Sequence, residues 1–206
     1  MRIEKINGLE IEPRELIEVV ATEDNAAFIA KVQEYTRQNA LRDKSGESVF
    51  AADSLEFILS IIRSKRGEVV MYFDGSNFVG FFELTCPDNP QELEEEYGLS
   101  KYLPDADITN MGVAESFVVM PEYRGNHLQA KMFERMEMMA SERGITSLIG
   151  TVHPENTFSC HNFDVSDYET AAVFEAHGGP RLLKYKEVYK MTKDFDDNKN
   201  DGGKTK

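Results

Sequence analysis

The sequence contains no apolar run of the roughly 18–20 residues that a membrane-spanning helix requires. Residues 1–5 (MRIEK) lack the apolar core of a secretory signal peptide. Only two cysteines are present, Cys86 and Cys160, with no CxxC pair and no histidine cluster. This pattern predicts neither a disulfide framework nor a metal site, and a lone cysteine such as Cys160 specifies little as a nucleophile. We therefore expect a cytoplasmic protein with no metal and no membrane partner.

Positive charge is also scarce. There are 23 Lys and Arg residues against 37 Asp and Glu residues, which gives a formal net charge of −14. Nucleic-acid binding depends on Lys and Arg side chains that neutralise phosphates, so we do not expect a nucleic-acid partner. The acidity is compatible with steering of a cationic substrate such as an amine, although solubility alone is the simpler explanation.

The remaining composition is that of an ordinary globular protein. The chain has 206 residues, of which 41% are apolar and 10% aromatic, enough for one domain with a sizeable core. We predict a single domain over residues 1–193. Residues 194–206 are charged and contain little to bury, which predicts a disordered tail.

Hydrophobic periodicity predicts an alternation of strands and helices in the first half of the chain. A strand at 16–21 is followed by a helix that Thr22 or Asp24 caps, with Phe28, Val32 and Tyr35 on its apolar face. Residues 37–52 are predicted to be a loop. Asp53 or Ser54 then caps a second helix. Its predicted buried stripe consists of Leu55, Ile58, Leu59 and Ile62.

The rest of the chain predicts further strands around two more helices. Residues 69–73 and 78–84, joined by a Gly-containing turn, predict a β-hairpin. The acidic stretch 87–107 predicts an insertion with a short helix over the sheet edge or the substrate mouth, or simply a solvated loop. Strands are expected at 111–119, 147–152, 168–174 and 182–189, with helices before and after the second. The order β-α-α-β-β-β-α-β-α-β-β predicts an α/β (α+β) fold with a mixed sheet and helices on both faces.

Residues 117–129 are the most informative stretch. An apolar strand closes at Pro121, and after a short turn a helix begins, with apolar Leu128, Met132, Met136 and Met139 at helical spacing. The first N–H groups of a helix have no internal partner and carry partial positive charge, so this arrangement predicts a phosphate-binding site.

This stretch resembles the acyl-CoA-binding signature of the GCN5-related N-acetyltransferases, the GNAT superfamily. That signature is Val-x-Pro-x-(Tyr/Phe) followed by Arg-Gly-x-Gly-x-Gly/Ala, and Pro121, Tyr123, Arg124 and Gly125 fit it. A bacterial branch is similar to Tyr-Arg-Gly-Asn-Gly-Leu-Gln at this point, so Gln129 is matched there. His127 replaces a glycine of the signature. Its imidazole either narrows the phosphate cradle or adds a donor to a phosphate.

The resemblance implies a mixed, mostly antiparallel central sheet and acetyl-CoA as the acyl donor. The strand end and the turn are expected to hold this cosubstrate through Phe117, Val118, Val119, Arg124, Gly125, Asn126, His127, Leu128 and Gln129.

A second motif follows the strand at 147–152. Residues 153–163 (HPENTFSCHNF) resemble His-Pro-Asp/Glu-Asn-x-x-Ser-x-x-Asn-Phe of the same branch, and Gly178-Gly179 and Arg181 follow at the expected distance. The resemblance implies that Asn156 hydrogen-bonds the pantetheine arm. A helix N-cap is the alternative role of Asn156, and both roles are compatible. Ser159 lies on the same helical face and either contacts the cosubstrate or permits close packing.

Amide formation needs a proton acceptor for the amine, and Glu115 is the candidate general base. In an uninterrupted strand it would share a face with Phe117 and Val119. Its alternative role is to hold a cationic substrate or to pair with a basic residue. Phe163 stands where the family's acid, a Tyr, is usual, so Tyr168 is the candidate stand-in, with a structural core role as the alternative.

Three histidines are further candidates for proton transfer, because a histidine side chain usually titrates near neutral pH. Surface residues without a function are the alternative for all three, His153, His161 and His177.

These observations lead to three functional hypotheses. The first is an acetyl-CoA-dependent N-acetyltransferase that acts on a small, cationic amine acceptor, as a monomer or homodimer. The second is an acyl-CoA-binding module without turnover, in which His127 and Gln129 have altered the cradle. The third is a protein lysine or N-terminal acetyltransferase, because an acidic mouth suits a basic segment.

Overall fold

A computed structural model describes residues 1–6 and 9–188 of the chain. The predicted tail at 194–206 and the end of the predicted domain at 193 lie outside these residues. The strands are β1 (Arg2–Ile6), β2 (Leu9–Glu15), β3 (Ile17–Val20), β4 (Glu68–Asp74), β5 (Asn77–Thr85), β6 (Met111–Val119), β7 (Ser147–Val152), β8 (Glu169–Ala176) and β9 (Gly179–Glu187). The helices are α1 (Glu23–Asn39), α2 (Leu55–Arg63), α3 (Gln91–Tyr97), α4 (Leu99–Tyr102), α5 (Leu128–Glu142) and α6 (Thr157–Val165).

A seven-stranded sheet with the order β3-β4-β5-β6-β7-β9-β8 organises the fold. All neighbouring strands in it are antiparallel except β6 and β7, which are parallel. The predicted mixed sheet is therefore confirmed, and so is the predicted hairpin, which is β4–β5. The sequence analysis made no prediction for residues 1–15, where β1 and β2 pair as a separate antiparallel hairpin.

Helices cover both faces of this sheet, as predicted. On one face, α1 and α2 bury Ile29, Ile58 and Ile61 against Val69 and Phe81 of the sheet. On the other face, α5 and α6 pack against β4 and β5 through a second cluster. The buried helical side chains of this second cluster are Leu128, Met132, Phe133, Met136, Met139 and Phe163.

The predicted apolar faces of the first two helices are partly wrong. Phe28 and Tyr35 are 43% and 48% exposed, whereas α1 buries Ala26, Ile29, Val32 and Gln33. Helix α2 buries Ile58 and Ile61 and leaves Leu55 at its exposed start. The prediction assigned the aromatic side chains to the buried face of α1. The helix instead buries a polar residue, Gln33, because this residue bonds to a carboxyl group of the sheet.

The acidic insertion is a packed part of the molecule and not a solvated loop. Leu93 and Tyr97 of α3 and Leu99 of α4 are buried against Met111 and Val113 of β6, so these helices cover a sheet face rather than an edge. The insertion lies next to α2, since residues of both line one groove. The insertion therefore forms one wall beside the candidate base Glu115.

Two irregularities of β6 create the site. Strands β6 and β7 pair only through residues 111–113 and 147–149, so the second half of β6 has no partner on that side. In addition, Phe82 pairs with Phe117 while Leu84 pairs with Ala114. Two steps along β5 thus match three along β6, which is a β-bulge at Glu115 and Ser116.

Candidate active site

A cleft opens where β6 and β7 separate. Its walls come from five parts of the chain: the bulge of β6, the end of β7, the start of α6, the loop between α1 and α2, and β9. The residues that line it include Val49, Phe50, Asp53, Glu115, Ser116, Phe117, Gln129, Thr151, His153, Asn156, Ser159, His177 and Arg181.

The bulge turns Glu115 to the side of the sheet that α2 and α3 cover. Glu115 Oε1 accepts a hydrogen bond from Thr85 Oγ1 at 2.9 Å, whereas the Phe117 ring stacks on Phe133 of α5 at 4.1 Å between centroids. The prediction that Glu115 shares a face with Phe117 is therefore wrong, because the extra residue interrupts the alternation of side chains.

Glu115 belongs to a carboxyl cluster that also contains the half-buried Asp53 and the fully buried Glu83. Gln33 Nε2 donates to both Glu83 oxygens at 3.0 Å each, and Gln33 Oε1 accepts from the Asp53 backbone N–H at 2.6 Å. Ser116 Oγ donates to Asp53 Oδ2 at 2.8 Å. Burial raises the pKa of Glu83 well above its usual range, and the neighbouring Asp53 and Glu115 raise it further. Glu83 is thus held protonated beside Asp53.

The candidate base titrates close to neutral pH. Burial raises the pKa of Glu115 to about 8, the charge of Asp53 adds to the shift, and the hydrogen bond from Thr85 opposes it. A carboxylate with such a pKa is a far better proton acceptor than an ordinary glutamate, because general-base catalysis is most efficient when the pKa lies near the working pH.

Glu115 also borders a second groove, which lies between α2 and α3. Three more acidic residues line this groove, namely Asp88, Glu92 and Glu96, and none of its described lining residues is basic. Glu115 therefore lies where the cleft and an acidic groove approach each other. Such a groove attracts a positively charged group.

The turn before α5 has the geometry of an anion cradle. After a 3₁₀ turn at Pro121–Tyr123, Gly125 and His127 take positive φ values of 81° and 55°, and α5 begins at Leu128. A Cβ added at Gly125 would meet no atom within 4 Å, so the backbone there faces open space. The 15-residue helix α5 directs its unpaired first N–H groups to this point.

His127 occupies the left-handed backbone conformation that glycine adopts freely, and its side chain is exposed. The glycine of the resembling signature is thus replaced without a change of backbone conformation. Asn126 is buried and its Nδ2 donates to the Tyr123 carbonyl at 2.9 Å, which braces the turn. Arg124 is exposed, and its Nε donates to the Val119 carbonyl at 3.2 Å.

The unpaired edge of β6 is a ready hydrogen-bonding surface. The Met120 N–H bonds to the Val79 carbonyl, so the backbone groups of Met120 and Val118 face β5. Because successive residues alternate, those of Phe117 and Val119 face the cleft. Val118, a predicted cosubstrate contact, offers nothing to a ligand in the cleft. Its backbone groups face β5, and its side chain is buried against α1 and α2.

Three of the other predicted cosubstrate residues line the cleft. Asn156 is the N-cap of α6, its Oδ1 accepts from the Ser159 N–H at 3.3 Å, and both residues line the cleft. Gln129 lines it too and accepts from Asn162 Nδ2 at 2.9 Å. Leu128 has a buried side chain, so only its backbone N–H is available to a ligand.

Tyr168 does not reach the cleft, so the structure gives no support to it as the general acid. It is 3% exposed, lies in an aromatic cluster with Phe133 and Phe163, and its hydroxyl has no hydrogen-bond partner among the described residues. Burial raises the pKa of Tyr168 well above its usual range. Its structural alternative, a core residue, agrees with this placement.

The histidines and Cys160 differ in placement. His153 is buried and lines the cleft, so it is not a plain surface residue, whereas His177 is exposed at the cleft and His161 is exposed on α6. Burial raises the pKa of the Cys160 thiol, which makes it a poor nucleophile.

Sequence reasoning missed the roles of Asp53 and Glu83. The signal for Glu83 was present, since a lone carboxylate in the apolar run of β5 requires a buried partner. Within the described residues, no group of three His, Cys, Asp or Glu side chains is arranged to hold a metal ion. No described helix is long and apolar enough to cross a bilayer.

No family model and no curated protein matches this sequence. Solved structures do match its fold. An acetyltransferase of the GNAT family from Streptococcus pneumoniae is 15% identical with a TM-score of 0.63, over 85% of this chain and 100% of that one. A GNAT superfamily phosphinothricin acetyltransferase from Sinorhizobium meliloti, in complex with acetyl-CoA, is 12% identical with a TM-score of 0.60, over 84% and 88%.

The ribosomal-protein-S18-alanine N-acetyltransferase from Escherichia coli is 8% identical with a TM-score of 0.59, over 88% of this chain and 99% of that one. At these identities the likeness is one of fold. The chain has the fold of the GNAT acetyltransferases.

Proposed function

We propose that this chain is a GNAT-superfamily enzyme that transfers an acetyl group from acetyl-CoA to the amine of a small acceptor. One observation carries the proposal: Glu115, with a pKa raised to about 8, lies in a bulge at the point where β6 and β7 separate. The cradle before α5 lies beyond the other end of the same β6 segment. An acyl donor bound along β6 would therefore bring its thioester to the candidate base.

The chain's free backbone groups fit this acyl donor. The turn at Gly125 and the start of α5 suit the diphosphate, because the backbone at Gly125 faces open space and the first N–H groups of a helix carry partial positive charge. The backbone groups of Phe117 and Val119 suit the amides of pantetheine, and the side chain of Asn156 lies across the cleft from them. The phosphinothricin acetyltransferase of similar fold was solved with acetyl-CoA.

Glu115 would act as the proton acceptor. As the amine nitrogen attacks the thioester carbonyl, the N–C bond forms, the C–S bond breaks, and the amine proton passes to Glu115 directly or through one water. A thiol has an ordinary pKa of about 8.5, so its thiolate leaves near neutral pH and takes a proton from solvent. No side-chain acid is then required, which agrees with Phe163 in place of a tyrosine and with the core position of Tyr168.

The acidic groove supports an acceptor whose amine arrives as a cation. Asp88, Glu92 and Glu96 line that groove beside Glu115, where they would attract an ammonium group. The ammonium would lose its first proton to solvent before its nitrogen attacks, and Glu115 would take the second proton as the N–C bond forms. Catalysis would otherwise consist of holding the amine against the thioester in the right orientation.

The test has two stages. Acetyl-CoA binding is measured by thermal shift and calorimetry, and thiol release is then followed with small amines and with peptides that carry a free N-terminus or lysine. Binding with release only for small amines supports the proposal. Release only for peptides supports a protein acetyltransferase instead, and binding without any release supports a non-catalytic acyl-CoA-binding module.

A further inference from the structure

Arg181 is a buried cation in the cleft, and among the described residues it has no ion-pair partner. It is 4% exposed and lines the cleft together with Glu115. Its guanidinium donates one hydrogen bond, from Nη1 to the Val49 carbonyl at 3.2 Å, and Nε has no partner among the described residues. None of the ion pairs within 4.0 Å among the described residues includes Arg181.

Such a group needs an anion. A buried charge is expensive unless it is paired, and arginine does not lose its proton under ordinary conditions. Asp43 is the acidic residue whose charge acts on Arg181, but Asp43 Oδ1 already accepts from Ser45 Oγ and from the N–H groups of Ser45 and Glu47. Asp43 Oδ2 lies 3.5 Å from Nε2 of His153. The guanidinium fork of Arg181 is therefore left for a ligand.

The cleft thus has two poles of opposite charge. Glu115 and Asp53 form the acidic pole on β6 and at the start of α2, and Arg181 on β9 forms the basic pole. Strand β7 lies between β6 and β9, and paired strands are about 4.8 Å apart, so the two backbones are at least roughly 10 Å apart and lie farther apart where β6 and β7 separate. Both side chains line the same cleft, so a small molecule held in it can contact both.

We propose that the acceptor is a small amino acid or amino-acid-like zwitterion whose carboxylate is bound by Arg181 while its amine faces Glu115. This inference rests on the proposed function and names its substrate class. A guanidinium binds a carboxylate through two parallel hydrogen bonds, which fixes orientation as well as position. Arg181 is thus a specificity-determining residue.

A phosphate of CoA is the other anion that the same chemistry would accept. It is disfavoured because the turn before α5 already offers a phosphate cradle, whereas Arg181 lines the cleft together with Glu115 and bonds to Val49 of the loop between α1 and α2. Measuring acetyl-CoA affinity in an Arg181 variant distinguishes the two sources.

The experiment uses the full chain with acetyl-CoA and pairs of acceptors that differ only in a carboxylate. Each of the common amino acids, β-alanine and γ-aminobutyrate is compared with the amine that lacks the carboxylate, such as alanine with ethylamine. Thiol release gives kcat/KM for each. We expect the best amino acid to exceed its paired amine at least 30-fold, because truncating one partner of a buried charge pair costs that much or more.

Variants then assign this preference to Arg181. R181M should lower the preference for the amino acid at least 30-fold, mainly through KM, and R181K should restore part of it, because lysine keeps the charge but loses the fork. R63M, which removes an exposed arginine paired with Glu23, is the matched control and should keep the preference.

Four outcomes decide the matter. Equal or better transfer to the amines overturns the inference on the wild-type protein alone, so a variant that fails to fold does not obscure the result. A tenfold loss of acetyl-CoA affinity in R181M also overturns it, by making the anion a CoA phosphate. Acetyl-CoA binding without transfer to any acceptor overturns it as well but leaves the cosubstrate site intact. Failure of acetyl-CoA to bind removes the proposed function itself, and the inference with it.

Discussion

Gln33 of α1 donates from one amide nitrogen to both carboxyl oxygens of Glu83 in β5, at 3.0 Å each. The same Gln33 accepts from the Asp53 backbone N–H at 2.6 Å, so one side chain ties α1, the start of α2 and the sheet together. Because Asp53 in turn contacts Ser116 beside Glu115, the amide network also sets the electrostatic surroundings of the candidate base. The consequences of this arrangement can be measured.

Glu83→Gln should change how stability depends on pH. A carboxyl whose pKa is raised in the folded state binds more protons there than in the unfolded chain, so the free energy of unfolding falls as pH rises from about 4.5 through the raised pKa. The amide cannot ionise, so E83Q should match wild type near pH 5 and should be more stable than wild type at pH 9. Urea unfolding at both pH values measures this, with exposed Glu122→Gln as control. A difference that does not grow with pH would contradict a protonated Glu83.

Glu115→Gln should lower the turnover number by about 10² to 10⁴, because that is the usual contribution of a general base, and should leave acetyl-CoA affinity unchanged. The wild-type rate should rise with pH as Glu115 ionises, with a midpoint at about 8. Steady-state kinetics from pH 6 to 10 with any accepted amine, on E115Q and on the E122Q control, check this. An unchanged turnover number that keeps the rising limb would remove Glu115 from the mechanism.

His127→Gly should keep or tighten acetyl-CoA binding and should not destabilise the fold. His127 has φ of 55°, a conformation that costs a residue with a Cβ about 1 kcal/mol more than glycine. Asp167→Gly is the matched control, since Asp167 has φ of 60° and does not line the cleft. Calorimetric titration and thermal melting measure both effects. If H127G loses tenfold or more in affinity and D167G does not, the imidazole is a phosphate ligand.

Saturating acetyl-CoA should raise the melting temperature. A ligand that binds only the folded state, at 100 times its dissociation constant, adds about 2.7 kcal/mol to stability. We expect binding because the open backbone at Gly125 lies directly before the start of α5, where a phosphate can bind. Differential scanning fluorimetry with acetyl-CoA, and with adenosine as a control that lacks the diphosphate, provides the measurement. No shift at millimolar acetyl-CoA would rule out both the enzyme and the binding module.

Local patterns predicted the elements that depend on neighbouring residues alone. The hairpin β4–β5, strand β6, helix α5 and the cap at Asn156 all agree with the structure, because turn chemistry, strand alternation and capping act over a few residues. The distribution of helices on both faces also followed from the order of elements.

Other features depended on contacts between distant parts of the chain. The orientation of α1 was misjudged because Gln33 is buried by a bond to Glu83, fifty residues later. The sequence did not decide where the Tyr168 side chain lies, because an aromatic side chain after a turn suits a cleft and a core equally well. Its placement against Phe133 and Phe163 followed from the packing of α5 and α6.

The sequence by itself determined the strand–turn–helix with Arg124 and Gly125 and the order of elements around it, since these depend on the local preferences of adjacent residues. Only the tertiary structure decided which carboxylates meet and where Glu115 points. A bulge is defined by the register between two strands, and a one-residue change of register moves a side chain to the opposite face of the sheet. The raised pKa of Glu115 and the buried cation at Arg181, which has no ion-pair partner within the described part of the chain, are likewise products of burial, which no single segment of the chain specifies.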